Sequence, residues 1–372
     1  MKLEDYTFED AEAILTPALA VYADKVDANI EAALRMMDGD ANRWRPHLKT
    51  AKMRWVIERL LHYGVRQFKC ATTRELAMAC ESGAPDVLVA FPLTGPHARR
   101  VMEIAEEHPG TRVSVLVENA AQAALWRGSD IGIFIDVNPG MDRTGVGQED
   151  ASGIIGLAQA AGARFRGIHY YDGHVTAPSM NDRERLAYAG YDRLMDLVAK
   201  LTDAGLRAGE VITAGTPAMP CSLSYAGFTS GAFVHRVSPG TIVFNDVNSL
   251  AQLPGYGFQA AALVIATVVS HPAPGRVTCD AGHKSVSADA GVPTCVVVGH
   301  SDFEPLKPSE EHLPIAVPAD DAPAIGELLY LLPKHICPSV NLFDEALLIR
   351  DRRVTRIEPV AARGHERALT LV

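Results

Sequence analysis

The feature that most constrains the fold is the alternation of short apolar runs with amphipathic segments between residues 44 and 238. The runs have the length and composition of buried strands, and the segments between them carry apolar residues at helical spacing, often ending in glycine. Such alternation builds parallel βαβ units. Eight units in about 200 residues predict an α/β fold with a (β/α)8 (TIM) barrel rather than an open sheet. The predicted strands are residues 44–49, 67–71, 86–91, 112–117, 131–137, 166–171, 211–215 and 234–238.

The chain after about residue 255 has a different pattern. Short strand-like runs separated by Gly, Pro and Asp replace the helical segments, and the length of 372 residues favours two domains. We therefore expect a barrel domain over residues 1–255 and a mostly β domain over residues 256–372. The strand-like residues 18–22, ahead of a helix from about Asp24, can join the β domain or start the outer layer of the barrel. The predicted C-terminal strands are residues 261–270, 276–280, 294–298 and 346–350.

Composition excludes several classes of partner. A formal net charge of -10 argues against a nucleic-acid-binding surface and against an anionic membrane surface, but not against an anionic small ligand. The six cysteines are scattered without a CxxC pair, which predicts free thiols in a reducing cytoplasm. The N-terminus MKLEDYTFED lacks the apolar core of a signal peptide, and no run of about 18 apolar residues predicts a membrane span. We expect a cytoplasmic protein with a small-molecule partner.

Candidate reactive residues follow the predicted strands, where a barrel gathers its functional groups. Lys49 ends the first strand; a buried lysine has a lowered pKa and can form a Schiff base with an aldehyde cofactor. The alternative is a solvated surface lysine. Gly215-Thr216 and Gly240-Thr241 follow strands seven and eight, and their amides and hydroxyls can bind a phosphate group. The alternative is a pair of ordinary turns.

The ends of strands five and six carry further candidates. Arg143 lies in a glycine-rich loop, where its fixed charge can meet a phenolate or a carboxylate. Alternation predicts that His169 and Tyr171 face inward while Tyr170 faces the helices. His174 follows closely, so that an aromatic ring beside a ligand and a general base are natural roles for this group. Each of these residues can equally belong to the core or to a solvated loop.

His335 and Cys337 form a candidate metal pair. Residues two apart on a strand face the same way and can chelate one soft or borderline divalent ion, leaving positions for water or substrate. Two ligands do not define a site by themselves. The upstream residues Glu310, Glu311 and His312 can orient the ligands or form a solvated turn.

As a set, the motifs of this chain resemble the D-threonine aldolase/D-serine dehydratase family, which comprises fold-type III pyridoxal-phosphate enzymes related to alanine racemase. The resemblance spans nearly the whole chain in order. The matching motifs are RPHLKT (45–50), FIDVNPGMDRTGV (134–146), FRGIHYYDGH (165–174), ITAGTPA (212–218), RVSPGTIVFND (236–246), CDAGHKSVSADAGVP (279–293), SEEH (309–312) and PKHICPSVNLFDEALLI (333–349).

The resemblance implies an alanine racemase-like barrel with a C-terminal β domain, a homodimer, and two cofactors. These are pyridoxal phosphate and a divalent metal, zinc foremost with manganese and magnesium as alternatives. The implied roles are covalent binding of the cofactor by Lys49, contact with its phenolic oxygen by Arg143, contact with its ring by Tyr171, phosphate binding by Gly215, Thr216, Gly240 and Thr241, and metal ligation by His335 and Cys337.

The implied substrates are D-β-hydroxy-α-amino acids. Aldolases of the family mostly carry His-x-Asp at the metal pair and dehydratases His-x-Cys, so Cys337 favours dehydration to a 2-oxo acid and ammonia. Retro-aldol cleavage to glycine and an aldehyde is the alternative. The catalytic candidates are Lys49, His174 and His169. The family often has Gln at the position of His169, and in its aldolases a histidine lies further past the tyrosine than His174 does, so the general base stays open.

Two other functions suit the same scaffold. An amino-acid racemase or epimerase would need two bases on opposite faces of the cofactor and no metal. A non-catalytic pyridoxal-phosphate carrier would need neither a pair of bases nor a metal, but carriers of this type usually consist of a barrel alone.

Overall fold

The computed structural model describes residues 1–368 and divides them into two compact units. The first, called here the barrel unit, contains residues 34–49, residues 57–240 and the described residues from 365 onward. The second, called the strand unit, contains residues 1–33, 50–56 and 241–364. The division into domains after residue 255 stays a prediction.

Strands and helices alternate through the barrel unit, whereas strands dominate the strand unit. In chain order the strands are β1 (Ala18–Tyr22), β2 (Gln67–Cys70), β3 (Asp86–Pro92), β4 (Arg112–Val117), β5 (Gly132–Asn138), β6 (Val146–Gly147), β7 (Phe165–Tyr170), β8 (Glu210–Thr213), β9 (Val234–Val237), β10 (Ala262–Ala273), β11 (Arg276–Cys279), β12 (Cys295–Val297), β13 (Glu304–Pro305), β14 (Leu313–Ala316), β15 (Leu328–Pro333), β16 (Glu345–Arg350) and β17 (Arg353–Pro359). The α-helices are α1 (Ala23–Met36), α2 (Arg54–His62), α3 (Thr73–Glu81), α4 (Gly95–Glu107), α5 (Ala120–Leu125), α6 (Ala151–Ala161), α7 (Met180–Asp203), α8 (Met219–Ser224), α9 (Val247–Gln252) and α10 (Ile336–Val340). Short 3₁₀ helices cover Leu3–Asp5, Ala11–Ala13, Ala41–Arg43, Gly162–Arg164, Ala226–Phe228, Thr241–Val243 and Ala319–Asp321.

The barrel unit is built on a parallel sheet with the strand order β2-β3-β4-β5-β7-β8-β9, and β6 lies beside β5. Residues 44–48 join the two edges of this sheet. Trp44 forms a parallel bridge with Val237 of β9, and His47 forms one with Lys69 of β2. The sheet therefore closes on itself, and the predicted barrel is confirmed with residues 44–48 in the place of one strand.

The prediction of a regular strand over residues 44–49 is wrong. Pro46 has no N–H to donate to a neighbouring strand. The amide of Lys49 donates to Nδ1 of His47 at 3.2 Å, and the chain turns at residues 48–51. As a result the side chain of Lys49 is exposed, and its predicted burial is also wrong.

The interior of the barrel contains an apolar layer from four strands. Leu88, Leu116, Phe134 and Ile212 form one buried cluster with contributions from β3, β4, β5 and β8. Successive inward side chains are two residues apart along a strand. The inward residues that precede Leu88 on β3 and Ile212 on β8 are therefore Asp86 and Glu210. The layer next to the apolar one is therefore charged.

Arg45 is fully buried at the centre of that charged layer. Its guanidinium donates to both carboxylate oxygens of Glu210 at 2.8 and 2.9 Å and to Asp86 at 2.8 Å. Arg166 binds Asp86 at 2.6 Å and Arg236 binds Glu210 at 2.6 Å. Burial alone would lower the pKa of Arg45, but the two carboxylates outweigh burial and raise it, so the network stays charged. Arg45 thereby fixes residues 44–48 to β3 and β8.

The strand unit contains a mixed sheet with the order β13-β14-β11-β10-β1-β16-β17, and β15 pairs with both β10 and β12. β1 is antiparallel to β10 and parallel to β16, so residues 18–22 join the sheet of the C-terminal strands. β10 is buried on both faces: Val264 and Ala266 pack into one apolar cluster, and Leu263 and Ile265 into another. The predicted mostly β architecture of this part is confirmed.

Four strands of the strand unit were not predicted from the sequence, for three physical reasons. β15 reads LLYLLP, a continuous apolar run in which the period of two is invisible. β13 and β14 each contain proline, which speaks against a strand. β17 reads RVTRIEP and is largely exposed, so its pattern is that of a polar loop.

Two predictions from composition agree with the structure. The six cysteines form no disulfide. Among residues 1–368, no helix has the length and apolar character needed to cross a membrane.

We predict that Arg45→Ala will lower the free energy of unfolding by about 3–5 kcal/mol, because it leaves two buried carboxylates without their shared partner. The measurement is urea denaturation followed by circular dichroism. Arg185→Ala is the matched control: Arg185 is exposed on α7 with a single ion pair to Asp182, and its loss should cost about 1 kcal/mol or less. Equal effects of the two substitutions would contradict a structural role for the buried network.

Candidate active site

Tyr171, directly after β7, marks the place in the barrel unit where predicted site residues meet. The Arg143 guanidinium lies 5.0 Å from the centroid of the Tyr171 ring, and Lys69 Nζ lies 5.3 Å from it. A Cβ placed on Gly215 would lie 3.0 Å from the same ring. The structure therefore brings Arg143, Tyr171 and Gly215 together, and adds Lys69.

The loop that carries Arg143 is held by its own side chains. The Asn138 carboxamide oxygen accepts from the amides of Gly140 at 3.0 Å and Asp142 at 3.1 Å. Glu118 accepts from the amide of Gly145 at 2.6 Å. Gly145 has φ +100°, and a Cβ there would lie 2.7 Å from the backbone nitrogen of Asn138, so only glycine fits. The backbone beside Arg143 is thus fixed, although the arginine is exposed.

His169 lies inside the barrel, as alternation along β7 predicts. Its Nδ1 lies 2.7 Å from the Asp136 carboxylate, whose other oxygen accepts from the Thr144 hydroxyl at 2.8 Å. Burial and the neighbouring Lys69 lower the pKa of His169, and the hydrogen bond to Asp136 only partly opposes them. His169 is therefore a neutral ring that donates from Nδ1 and accepts at Nε2. Its role as a catalytic residue stays a prediction.

The neighbours of His169 also point as predicted. The Tyr170 ring packs against Tyr191 of α7, with ring centroids 6.0 Å apart, so this side chain faces the helices. His174 is exposed, and its Nε2 lies 3.9 Å from the position that a Cβ would occupy on Gly140. His174 therefore stands beside the loop of Arg143, where it can exchange protons with solvent.

The two predicted phosphate-binding turns begin in the barrel unit. Gly215 and Thr216 are buried after β8, and the preceding Ala214 has φ +59°. Gly240 is packed so closely that a Cβ would lie 2.1 Å from the carbonyl oxygen of His47, which only glycine permits. The turn after β9 thus contacts the segment that carries Lys49. Thr241 belongs to the strand unit.

Positive charge exceeds negative charge around Lys69, which lies beside the Tyr171 ring. Burial, followed by repulsion from Lys49, lowers the pKa of Lys69 to about 7; Arg143 adds to the repulsion, and Asp136 only partly offsets it. An excess of cations near a buried position favours an anionic ligand. Pyridoxal phosphate supplies a phosphate, a phenolate and an aldehyde for the exposed Lys49, so the residues present fit this cofactor.

The predicted metal pair lies in the strand unit at the start of a helix, so its placement on a strand is wrong. β15 ends at Pro333, and His335 is the residue before α10, which contains Cys337. The two side chains still lie close together, because each shifts the pKa of the other. The hydroxyl oxygens of Thr50 and Thr241 lie 3.1 and 3.5 Å from the Cys337 sulfur.

The electrostatics of this pair suit a soft or borderline cation. Burial would raise the pKa of the Cys337 thiol, but His335 outweighs burial and holds it below its usual value. The hydrogen bond to Cys337 raises the pKa of His335 to about 9, with a further contribution from Asp289. In residues 1–368 no group of three or more His, Cys, Asp or Glu side chains has the geometry of a metal site. A thiolate and an imidazole fit a divalent ion whose other positions are filled by substrate or water.

Sequence reasoning missed the residue that orients His335. Asp289 Oδ2 lies 2.6 Å from His335 Nδ1, which leaves Nε2 for a ligand. The residues considered for such a role, Glu310 and Glu311, are exposed and bind Lys284 at 2.7 and 2.9 Å. Asp289 stands in the motif CDAGHKSVSADAGVP, but no spacing rule connects it with His335.

Sequence reasoning also missed Lys69, for which a signal existed. A lysine in the middle of FKC, inside a predicted barrel strand, cannot reach solvent in the way that a surface lysine does. Only the closed barrel shows which strands its side chain reaches.

Comparison with known proteins gives matches along nearly the whole chain. Residues 21–246 match the family model of the alanine racemase N-terminal domain, and residues 261–349 match a putative serine dehydratase domain. A D-threonine aldolase from Arthrobacter sp is 29% identical over 366 residues, which is 95% of this chain and 93% of that protein. A D-threo-3-hydroxyaspartate dehydratase from Delftia sp. (strain HT23) is 27% identical over 290 residues, which is 74% of this chain and 73% of that protein.

The fold is also similar to solved structures. The crystal structure of D-threonine aldolase from Filomicrobium marinum has a TM-score of 0.86 and 26% identity, covering 95% of this chain and 97% of that chain. The family match at residues 21–246 spans more than half of the chain and confirms the predicted resemblance. This protein therefore belongs to the alanine racemase N-terminal domain family, as a pyridoxal-phosphate-dependent lyase of the D-threonine aldolase/D-serine dehydratase group.

Proposed function

We propose that this lyase dehydrates a D-β-hydroxy-α-amino acid to a 2-oxo acid and ammonia, with pyridoxal phosphate at Lys49 and a divalent metal at His335 and Cys337. The observation that carries the proposal is the cysteine at the second position of the His335/Cys337 pair, with the hydroxyl oxygens of Thr50 and Thr241 at 3.1 and 3.5 Å from its sulfur, because dehydratases of the family it resembles carry His-x-Cys there. Both relatives support the substrate class, because threonine and 3-hydroxyaspartate each carry a hydroxyl on the β-carbon. The relatives include an aldolase and a dehydratase, so the choice of reaction rests on Cys337.

The residues of the barrel unit have separate tasks in binding the cofactor. The exposed amine of Lys49 can reach an aldehyde from solution and form the covalent link. The amides and hydroxyl at Gly215, Thr216 and Gly240 can donate to a phosphate, and Arg143 can pair with the phenolic oxygen. When bound, pyridoxal phosphate withdraws electrons from the bond that breaks at the α-carbon of the substrate.

The residues around the metal pair prepare two ligands. Asp289 accepts from His335 Nδ1 and fixes the ring so that Nε2 can bind the ion, which displaces the Nε2 proton. Thr50 and Thr241 position the Cys337 sulfur. When bound, the metal withdraws electrons from the β-oxygen of the substrate and helps it leave as water.

Dehydration breaks the Cα–H and Cβ–O bonds and then releases the nitrogen as ammonia. The Lys49 amine would hold the cofactor and could also accept the α-proton. His174, exposed beside the Arg143 loop, could donate the proton with which the hydroxyl leaves as water. In the alternative retro-aldol route His174 takes the β-hydroxyl proton, and the Cα–Cβ bond breaks to give glycine and an aldehyde.

Three finer properties belong to the same proposal. Zinc suits a thiolate and an imidazole better than manganese or magnesium do. We expect the enzyme to act as a homodimer in the cytoplasm. We expect its partner to be a small-molecule substrate rather than a nucleic acid or a membrane.

We predict that Lys49→Ala will abolish the visible absorbance of the bound cofactor and the turnover of D-amino acids, because no amine remains to form the link. Absorption spectroscopy after loading with pyridoxal phosphate and gel filtration is the measurement. Lys200→Ala, at an exposed position of α7, should keep both. Full absorbance and activity in Lys49→Ala would show that another residue holds the cofactor.

We predict that Cys337→Ala will lose most of the bound metal, and that Asp289→Asn will weaken metal binding by about 10- to 100-fold through misorientation of His335. Elemental analysis and competition with a chelator measure the two effects. Glu310→Gln is the control, because Glu310 is exposed and bound to Lys284. Stoichiometric metal in Cys337→Ala would place the ion elsewhere.

We predict that metal-supplemented protein will convert D-threonine to 2-oxobutanoate and ammonia, with L-threonine as the unreactive control. Product identification by NMR separates the candidate functions with one substrate. Glycine and acetaldehyde as products would show retro-aldol cleavage. They would also show that a His-x-Cys pair is not sufficient for dehydration. An L-series isomer would favour the racemase, and cofactor binding without turnover of any D-β-hydroxy amino acid would favour the carrier.

A further inference from the structure

Lys69 is a buried cationic residue to which the proposed function assigns no task. Its Nζ donates to the Ser238 hydroxyl at 2.5 Å and lies 3.4 Å from Nε2 of His169. The Ser238 hydroxyl in turn donates to the carbonyl oxygen of Ala214 at 3.0 Å. Lys69 is therefore held in place by the ends of three strands, its own β2 together with β7 and β9.

These contacts use two of the three donors of an ammonium group. In residues 1–368 no further acceptor lies within hydrogen-bond distance of Lys69 Nζ. Lys69 Nζ lies 5.3 Å from the centroid of the Tyr171 ring, and the Arg143 guanidinium lies 5.0 Å from the same centroid. Two cations thus approach the same place, and each can donate to an oxygen there.

The surrounding charges do not neutralise this arrangement. Lys49, Arg143 and Arg45 all repel the charge of Lys69, and Asp136 is the attractive partner. Asp136 is also engaged by His169 and Thr144. An uncompensated buried ammonium is unfavourable unless a ligand brings negative charge.

The order of the strands indicates which part of the cofactor brings the negative charge to Lys69. Residues 44–48, which lead to Lys49, lie between β9 and β2. The turn at Gly240, after β9, is one of the predicted phosphate-binding turns. In pyridoxal phosphate the carbon that links to lysine lies between the ring positions of the phosphate arm and the phenolic oxygen. A phosphate held on the β9 side would leave the phenolic oxygen directed toward β2 and Lys69.

We propose that Lys69 is a second positioning residue for the cofactor, which shares the phenolic oxygen of the pyridoxal ring with Arg143. The inference rests on the proposed function, because it requires pyridoxal phosphate linked to Lys49. The buried excess of positive charge is then offset by one negatively charged oxygen. The neutral state of His169 fits this role, because its Nε2 can accept a hydrogen bond from Lys69.

The test compares two ligands on the full-length protein freed of cofactor. One is pyridoxal phosphate, and the other is its deoxy analogue, in which hydrogen replaces the phenolic hydroxyl. Equilibrium dialysis gives the dissociation constant of each for the unchanged protein, Lys69→Met, Lys69→Arg and the charge-matched surface control Lys200→Met. We expect Lys69→Met to weaken pyridoxal phosphate by about 10- to 100-fold, the effect of one charge-assisted hydrogen bond, and to leave the analogue nearly unaffected.

Lys69→Arg should recover part of the lost affinity, because it restores the charge, and Lys200→Met should behave like the unchanged protein. Equal weakening of both ligands by Lys69→Met, or no weakening of either, would overturn the proposal. Lys69→Gln, which keeps a donor for Ser238, replaces Lys69→Met in the same comparison if circular dichroism shows that the methionine variant is unfolded. If the unchanged protein binds neither ligand, or Lys49→Ala binds both covalently, the proposed function fails rather than the role of Lys69.

Discussion

The barrel unit depends on the closure of its sheet by residues 44–48. This segment has only isolated bridges to β9 and β2, because Pro46 cannot donate and the chain turns directly afterwards. Arg45 supplies what the backbone lacks, through ionic hydrogen bonds to Asp86 and Glu210 on two other strands. Four residues later the chain presents Lys49 at the opposite, carboxyl end of the strands. The position of Lys49 is therefore set by a buried guanidinium and not by regular strand pairing.

Charge is distributed unequally along the barrel axis. In the layer of Arg45, three guanidinium groups face two carboxylates that bind them in close, well-directed contacts. Beyond the apolar layer around Phe134, Lys69 meets the repulsion of other cations with Asp136 as its partner. In the first layer each guanidinium has a carboxylate partner within the protein, and the layer serves the fold. In the second, Asp136 only partly offsets the cations around Lys69, and such an imbalance is common at binding sites.

The properties of the predicted metal pair are likewise set by residues from other parts of the chain. On a strand, a histidine and a cysteine two positions apart would point to the same side. Here His335 is the residue before α10 and Cys337 lies in its first turn, and the two side chains still approach each other. Asp289, from a loop about 45 residues earlier in the chain, fixes the histidine ring, and two threonine hydroxyls lie beside the sulfur. The chemical character of the pair thus depends on residues that its own spacing does not reveal.

The sequence by itself determined the barrel, most strand positions, the inward direction of His169, and the residue types that suit an aldehyde, a phosphate and a soft metal. These follow from local periodicity and from motif chemistry, which act over a few residues. Only the tertiary structure decided that Lys49 is exposed, that β15 and β17 are strands, and that His335 precedes a helix. It also decided which groups lie beside them: Asp289 beside His335, and Lys69 beside Tyr171 and His169. These features depend on contacts between residues far apart in the chain, whose geometry is fixed only when the sheet closes and the core packs.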